Sequence, residues 1–187
     1  MPTTISFPTA VSTNGANFNN TFADDATNTT HPSSGWGSEP DITLSSFSSL
    51  SIPAGATING IEIVCEAGSN SGAGTPSMFV YNGTSWSSAH FMNGAFGKSP
   101  STIDPAWGSS SDLWGLSWTP TTAEGIQIKM DSSTITSGRR IFIDYFKVRV
   151  TYTTATGYGH IVNGVAAASI SKVKGVATAD ISKVNGI

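Results

Sequence analysis

The segment 139–152, RRIFIDYFKVRVTY, decides the fold class of this 187-residue chain, because its side chains have the two-residue period of a β-strand. Large side chains share one predicted face: Phe142, Phe146, Val148, Val150 and Tyr152. The opposite face changes from apolar to polar along the strand: Ile141, Ile143 and Tyr145 precede Lys147, Arg149 and Thr151. We therefore expect a strand of roughly 40 Å that starts buried on both faces and crosses a whole β-sandwich.

Asp144 is the polar exception on the predicted apolar face, between Phe142 and Phe146. A buried carboxylate destabilises a protein unless it is hydrogen-bonded. We therefore expect either hydrogen-bond partners for Asp144 or a β-bulge that turns it outward. A structural role is favoured over a metal-binding or catalytic one.

Two more strands are indicated by the same alternation. In the segment 112–130, DLWGLSWTPTTAEGIQIKM, apolar residues alternate with polar ones from Ile126 onward, and Trp114 and Trp118 are predicted to fill core. A second strand covers residues 57–67. Its inward face is predicted to hold Ile61, Ile63, Cys65 and Ala67, with Glu62 and Glu66 pointing outward.

Shorter strands, bounded by turn residues, are predicted at residues 3–11, 41–50, 78–81 and 86–92. Pro8 interrupts the first of them and favours an edge position. Asn82-Gly83 is a two-residue hairpin signal. Residues 94–112, GAFGKSPSTIDPAWGSSSD, are predicted to be irregular.

The composition agrees with an all-β protein. Ser, Thr, Asn and Gly are abundant, and no amphipathic helix of three turns is evident. Only 11% of residues are charged and the net charge is −3, which excludes nucleic-acid binding through bulk charge. A lone cysteine, Cys65, excludes a disulfide framework. We expect no signal peptide, because the first residues contain no basic side chain and no long apolar core, and no apolar run has the length of a transmembrane helix.

These observations predict a single sandwich domain with an appendage. We expect an antiparallel two-sheet β-sandwich, jelly-roll-like, over residues 1–155. A glycine-containing linker follows at residues 156–160. Residues 161–187 are expected to form a tail for assembly, as a β-hairpin or an extended segment.

The tail repeats with a period of 11, as VNGVAAASISK, VKGVATADISK and VNGI over residues 162–187. Folding about Lys174-Gly175 pairs Ile170 with Ala179 and Val165 with Val184, and the first pair sets large against small. A helix in a right-handed supercoil and a disordered low-complexity tail remain open alternatives. Each unit contains a glycine and three β-branched apolar residues, which favours the hairpin over the helix.

A two-stranded hairpin is marginal in water, so this one requires a second copy, the sandwich or a neighbouring protein to cover it. Strand addition and self-association are the two modes of assembly that we consider. The predicted assembly interface is the apolar set of the repeat: Val165, Ile170, Val173, Val176, Ile181, Val184 and Ile187.

No set of residues in the sequence specifies a reaction, and we expect neither catalysis nor a cofactor. The histidines His31, His90 and His160 lack metal-ligand spacing, and motifs for nucleophiles or nucleotides are missing. Two carboxylate pairs resemble glycosidase candidates, Glu62 with Glu66 and Asp104 with Asp112. The first pair would lie about 13 Å apart along a strand, beyond both glycosidase geometries.

Two further groups of residues are weighed for binding. Four acids around a long loop, Asp24, Asp25, Glu39 and Asp41, offer the oxygen ligands that calcium prefers, but solvated surface acids are favoured and no metal site is predicted. Three tryptophans in Gly- and Ser-rich segments are candidate ligand or partner contacts: Trp36, Trp86 and Trp107. Packing beneath a loop is an equal alternative for them.

Three stretches resemble the β-sandwich domains of virion structural proteins of tailed bacteriophages: SIPAGATINGIEI (51–63), SSSDLWGLSWTP (109–120) and IFIDYFKVRVTY (141–152). The ISKVNG motif at 181–186 is similar to tails of such proteins. The resemblance covers residues 40–187 and contains no catalytic motif.

The resemblance implies a non-enzymatic virion subunit in many symmetric copies, such as a tail fibre, an appendage, a neck component or a capsid decoration protein. Its partners would be copies of itself and other virion proteins, with no nucleic acid and no membrane insertion. Its location would be the virion, assembled in the host cytoplasm. The alternative is a carbohydrate-binding module or adhesin that contacts host surface glycans through loop tryptophans.

Overall fold

The computed structural model describes most of the predicted sandwich and two short pieces of the tail. The described residues are 1–12, 23–25, 29–31, 41–70, 76–131, 140–154, 172–173 and 176–177. Their strands and helix are, in chain order, β1 (Thr3–Ser6), β2 (Ala10–Ser12), β3 (Thr29–His31), β4 (Ile42–Ser45), β5 (Thr57–Ser69), β6 (Ser77–Tyr81), β7 (Ser101–Ser109), α1 (Pro120–Glu124), β8 (Gln127–Asp131), β9 (Ile141–Thr153), β10 (Lys172–Val173) and β11 (Val176–Ala177). No helix in this described part of the chain is long and apolar enough to cross a membrane.

Two antiparallel sheets pack against each other as a β-sandwich. The first has the order β1-β9-β5-β7, with β3 also paired to β9, and the second has the order β2-β4-β8-β6. From β4 to β9, successive strands alternate between the two sheets. Bridges from Met78 to His90 and from Tyr81 to Trp86 add a further segment beside β6. This is a jelly-roll-like order, so the predicted fold class is confirmed.

The core lies between the sheets and is built from the inward-facing residues of alternating strands. In β8, Ile128 and Met130 are buried while Gln127 and Lys129 are not, as predicted. In β5 the predicted inward set is fully buried: Ile61, Ile63, Cys65 and Ala67. Each large aliphatic side chain removed from water in this way contributes roughly 1.5–3 kcal/mol to stability.

A β-bulge interrupts β9 at Asp144. Glu66 of β5 lies opposite Tyr145 and Ala67 lies opposite Ile143, so Asp144 is the extra residue on β9. Asp144 is 1% exposed, and its carboxyl group lies on the outer side of the sheet, near that of Glu66. The bulge considered from the sequence is therefore present.

Because the bulge shifts the alternation by one residue, the predicted faces are wrong for the first residues of β9. Ile141 and Ile143 belong to the same core cluster as Phe146, whereas Phe142 is only half-buried and lies outside it. The prediction counted alternation straight through Asp144 and therefore put Phe142 and Phe146 on one face.

The prediction that residues 94–112 are irregular is wrong for the part that forms β7. This strand pairs with β5 along most of its length, with Ile63 opposite Trp107 and Ala67 opposite Ser101. The strand contains Pro105, whose preceding peptide bond is cis. Proline is tolerated here because β7 lies at the edge of its sheet, where one side needs no ladder hydrogen bonds.

The N-terminal segment and the turn after β6 show one confirmed prediction and one correction. Pro8 separates β1 from β2, and each of these strands lies at the edge of its sheet, as predicted.

The turn after β6 spans four residues, from Asn82 to Ser85, and is therefore longer than predicted. The Asn82 side chain accepts hydrogen bonds from the backbone N–H groups of Thr84 and Ser85 at 3.0 and 2.9 Å, which closes the longer turn.

Helix α1 fixes the loop between β4 and β5. The helix begins after Thr119, whose side chain caps its N-terminus. At the other end, the Glu124 carboxylate accepts hydrogen bonds from the backbone N–H groups of Leu50 (2.8 Å) and Ile52 (2.9 Å). Two charge-assisted hydrogen bonds therefore hold this loop against the helix.

Strands β10 and β11 are the described part of the repeat. Val173 lies opposite Val176 and Lys172 opposite Ala177, which is the register that folding about Lys174-Gly175 predicts. Among the described residues, these two strands form a sheet of their own. The other predicted interface residues lie outside the described residues: Val165, Ile170, Ile181, Val184 and Ile187.

Candidate functional site

The three candidate tryptophans have different positions. Trp86 is 39% exposed, and Trp36 lies outside the described residues. Trp107 is 0% exposed, which contradicts its assignment as a contact residue. It occupies a core-facing position of β7, packs beside Phe96 and Phe146, and its indole N–H donates to a backbone carbonyl at 3.2 Å.

The tryptophans predicted to fill core are placed accordingly. Trp114 is fully buried, and its indole N–H donates to the carbonyl oxygen of Ile61 at 2.9 Å. Trp118 is partly buried against the core, and its indole N–H donates to the carbonyl oxygen of Leu113 at 3.0 Å. Each indole nitrogen therefore has the partner that a buried tryptophan requires.

Trp86 belongs to an aromatic surface on the outer side of the second sheet. Phe79 and Tyr81 point outward from β6, and Lys129 points outward from β8, directly opposite Phe79. The ring centroids of Tyr81 and Trp86 are 5.1 Å apart with an interplanar angle of 36°. We call Phe79, Tyr81, Trp86 and Lys129 the aromatic face.

Lys129 links the rings of the aromatic face and carries its positive charge. Its Nζ lies 4.6 Å from the ring centroid of Phe79 and 5.3 Å from that of Trp86, within the range of a cation–π interaction. The same Nζ lies 3.3 Å from Oδ2 of Asp41. The aromatic face, with Asp41 beside it, therefore combines apolar ring surface with a positively charged hydrogen-bond donor and a negatively charged acceptor.

A different cluster covers the outer side of the first sheet, centred on Arg149. Its Nε donates to Glu62 at 2.8 Å, and its two terminal nitrogens donate to the two carboxylate oxygens of Asp104. These hydrogen bonds raise the pKa of Arg149 above its ordinary value, and those to Asp104 contribute more than the one to Glu62. Glu62 points outward as predicted but is only 7% exposed, because the guanidinium covers it.

Each of the four carboxylates considered for glycosidase chemistry has a polar partner within the protein. Glu62 and Asp104 share Arg149. Glu66 accepts a hydrogen bond from the Thr102 hydroxyl at 3.4 Å. Asp112 lies 3.0 Å from Nε2 of His90, and His90 is stacked on Trp114 with ring centroids 4.0 Å apart. His31 lies in β3, and His160 lies outside the described residues.

Three carboxylates meet on the outer side of the first sheet. Oxygen atoms of Asp24, Glu66 and Asp144 lie within 4.8 Å of one another. Lys147 places its Nζ 3.4 Å from Asp24, so the cluster includes a protein cation. The sequence did not indicate this grouping, because it depends on the bulge at Asp144.

Of the other acids weighed for calcium, Asp41 pairs with Lys129, and Glu39 lies outside the described residues.

The Cys65 thiol is expected to be unreactive in the folded protein. Burial, and to a lesser degree the neighbouring Glu66 charge, raises the pKa of the thiol, and the thiolate is the reactive form. We expect no modification by a maleimide at neutral pH in the native state and complete modification in denaturant, as measured by mass spectrometry. Native-state labelling at the rate of a free cysteine would contradict the burial of Cys65.

No family model matches the chain, and no curated protein or solved structure matches it.

Proposed function

We propose that this chain is a non-enzymatic structural protein of a bacteriophage virion, either a tail fibre or appendage subunit or a capsid decoration subunit. The observation that carries the proposal is the pairing of β10 with β11 in the register set by the 11-residue repeat. A regular repeat that pairs as a short hairpin presents the same surface again at each period. Such a surface suits assembly of many identical copies.

The proposed mechanism is burial of the apolar residues of the repeat together with backbone pairing between strands. A two-stranded hairpin buries too little surface to be stable alone. Copies of this chain or other virion proteins supply the missing cover, and the jelly-roll-like sandwich is displayed or docked beside them. The non-enzymatic part of the proposal is supported by Arg149, which forms ion pairs with both Glu62 and Asp104 and so engages the two carboxylates.

The repeat is expected to control assembly, and charged residues at its paired valines test this. We expect the double variant Val173→Lys, Val176→Lys to lose oligomerisation and particle incorporation, because two ammonium groups would lie opposite each other in an interface that must exclude water. Light scattering of the purified full chain and incorporation into assembled particles are the measurements.

The matched control is Asn163→Lys, Asn185→Lys, which adds the same charge at the turn position that Lys174 already occupies in the middle repeat. This control is expected to assemble as the unmodified chain does. A chain lacking residues 160–187 that is still incorporated as efficiently as the full chain would refute the proposed function.

A carbohydrate-binding module or adhesin is the second candidate function. The observation that favours it is the exposure of Trp86 beside Tyr81 on the outer sheet face, where a ligand has access. This function is compatible with the first, since a displayed virion subunit can also contact a host surface.

A further inference from the structure

The aromatic face presents its side chains on a regular, rigid support. Phe79 lies opposite Lys129 and Tyr81 lies opposite Gln127 in the pairing of β6 with β8, and Thr43 of β4 lies on the other side of Lys129. Outward side chains of adjacent strands are about 5 Å apart. The sheet therefore holds Phe79, Tyr81 and Lys129 in fixed relative positions, and the bridge to Tyr81 attaches Trp86 beside them.

The charge of this surface argues against an anionic ligand. The charged side chains described on the outer side of β8 and next to it are Lys129, Asp41 and Asp131. Two carboxylates face one ammonium, and that ammonium already lies 3.3 Å from Asp41. Phosphate, sulfate and uronate groups would therefore meet more negative than positive charge.

The polar groups beside the rings suit hydroxyl groups. An ammonium only donates hydrogen bonds and a carboxylate only accepts them, whereas a hydroxyl does both. A ligand hydroxyl placed at the Lys129–Asp41 pair can accept from one and donate to the other. The tilted pair of Tyr81 and Trp86 offers an apolar surface next to these groups.

We propose that the aromatic face binds an uncharged saccharide. Trp86 and Tyr81 contact the apolar C–H face of one sugar ring, and Lys129 and Asp41 hydrogen-bond its hydroxyls. This inference rests on the second candidate function and assigns it to the outer face of the second sheet, with Trp107 excluded by its burial.

A glycan array carrying uncharged and acidic saccharides, probed with the full chain, tests the proposal. We expect binding to uncharged saccharides and none that is confined to acidic ones. For the best saccharide, titration followed by tryptophan fluorescence or calorimetry should show at least about a tenfold loss of affinity in Trp86→Ala, and a loss in Lys129→Met.

Phe91→Ala is the matched control, because Phe91 is an exposed aromatic residue, 71% accessible, outside the aromatic face. Its affinity should equal that of the unmodified chain. Binding to no uncharged saccharide, binding only to acidic ones, or equal losses in Trp86→Ala and Phe91→Ala would each overturn the inference. None of these outcomes affects the proposed assembly function, which is measured by oligomer size and particle incorporation. Trp86→Ala and Phe91→Ala should both assemble as the unmodified chain does.

Discussion

Gly108→Ala is expected to destabilise the protein by about 3–5 kcal/mol, because the position combines close approach of neighbouring atoms with an unfavourable backbone angle. Gly108 has a φ of +73°. A β-carbon there would lie 2.3 Å from the carbonyl oxygen of Ile61 and 2.9 Å from Nε1 of Trp114. These two atoms are joined by the hydrogen bond that anchors the buried indole. The methyl group would therefore force apart β5, β7 and Trp114 at one point.

Three other glycines separate the two causes of this loss. Gly60→Ala tests crowding alone: its β-carbon would lie 2.2 Å from the backbone carbon of Ser110, and we expect about 1–3 kcal/mol of destabilisation. Gly83→Ala tests the backbone angle alone: φ is +89° with no atom within 4 Å, and about 1–2 kcal/mol is expected. Gly94→Ala has neither feature and should change stability by at most about 0.5 kcal/mol.

Denaturant unfolding of the four variants measures these differences, with circular dichroism to compare the native states. The order of loss should be Gly108, Gly60, Gly83 and Gly94. A Gly108 variant as stable as the Gly94 variant would show that β5 and β7 do not approach each other in the described way.

The strands that face water on one side were predictable from the sequence, because burial of one face imposes alternation on the residues. β8 illustrates this, with Ile128 and Met130 inward and Lys129 outward. β9 shows the limit of the same rule. The alternation changes at Asp144, where the sequence indicated a bulge as one alternative, but the predicted faces were counted without it, so those of Ile141 and Phe142 were exchanged.

β7 shows a second limit of sequence interpretation. Its residues, STIDPAWGS, are mostly polar or turn-forming, and the strand exists because β5 offers it a long partner. Pairing with a strand that is distant in the chain is a property of the fold and leaves no local signal. Trp107 was a contact candidate, with packing as the equal alternative, because its glycine- and serine-rich neighbours are typical of a loop; its burial in β7 selects packing.

The candidate site was only partly predictable. The sequence indicated Trp86 as a contact residue, because it is an aromatic residue in a polar segment. It did not indicate that Tyr81 and Lys129 flank Trp86, which depends on the bridge after β6 and on the register between β6 and β8. A turn signal at Asn82-Gly83 was the available clue that Tyr81 and Trp86 lie near each other.

Arg149→Met is expected to lower the free energy of unfolding by about 2–4 kcal/mol, because removal of one partner leaves a buried charge uncompensated. Most of this loss should come from Glu62, whose side chain is 9% exposed, while that of Asp104 is 45% exposed and remains hydrated. The partners raise the pKa of Arg149. The stability that Arg149 contributes is therefore fully present below the ordinary pKa of arginine. It is lost only as the pH rises through the raised pKa of the folded state, far above neutrality.

The matched control is Lys129→Met, which breaks the ion pair with Asp41. The side chains of Lys129 and Asp41 are 28% and 40% exposed, more than those of Arg149 and Glu62. We therefore expect the free energy of unfolding to fall by less than about 1 kcal/mol. The comparison separates the burial of Glu62 from the mere presence of an ion pair. Chemical denaturation at neutral pH, with the slope m compared among variants, is the measurement.

The triple variant Arg149→Met, Glu62→Gln, Asp104→Asn distinguishes an uncompensated charge from lost packing. If the cost of Arg149→Met comes from isolated carboxylates, neutral amides in their place should restore at least about half of the lost stability. If the arginine stem contributes mainly through contacts with its neighbours, the triple variant should remain as unstable as the single one. Recovery would make this trio an electrostatic link joining the outward faces of β5, β7 and β9, which a catalytic carboxylate pair would not require. Failure to recover would return Glu62 and Asp104 to consideration as independent acids.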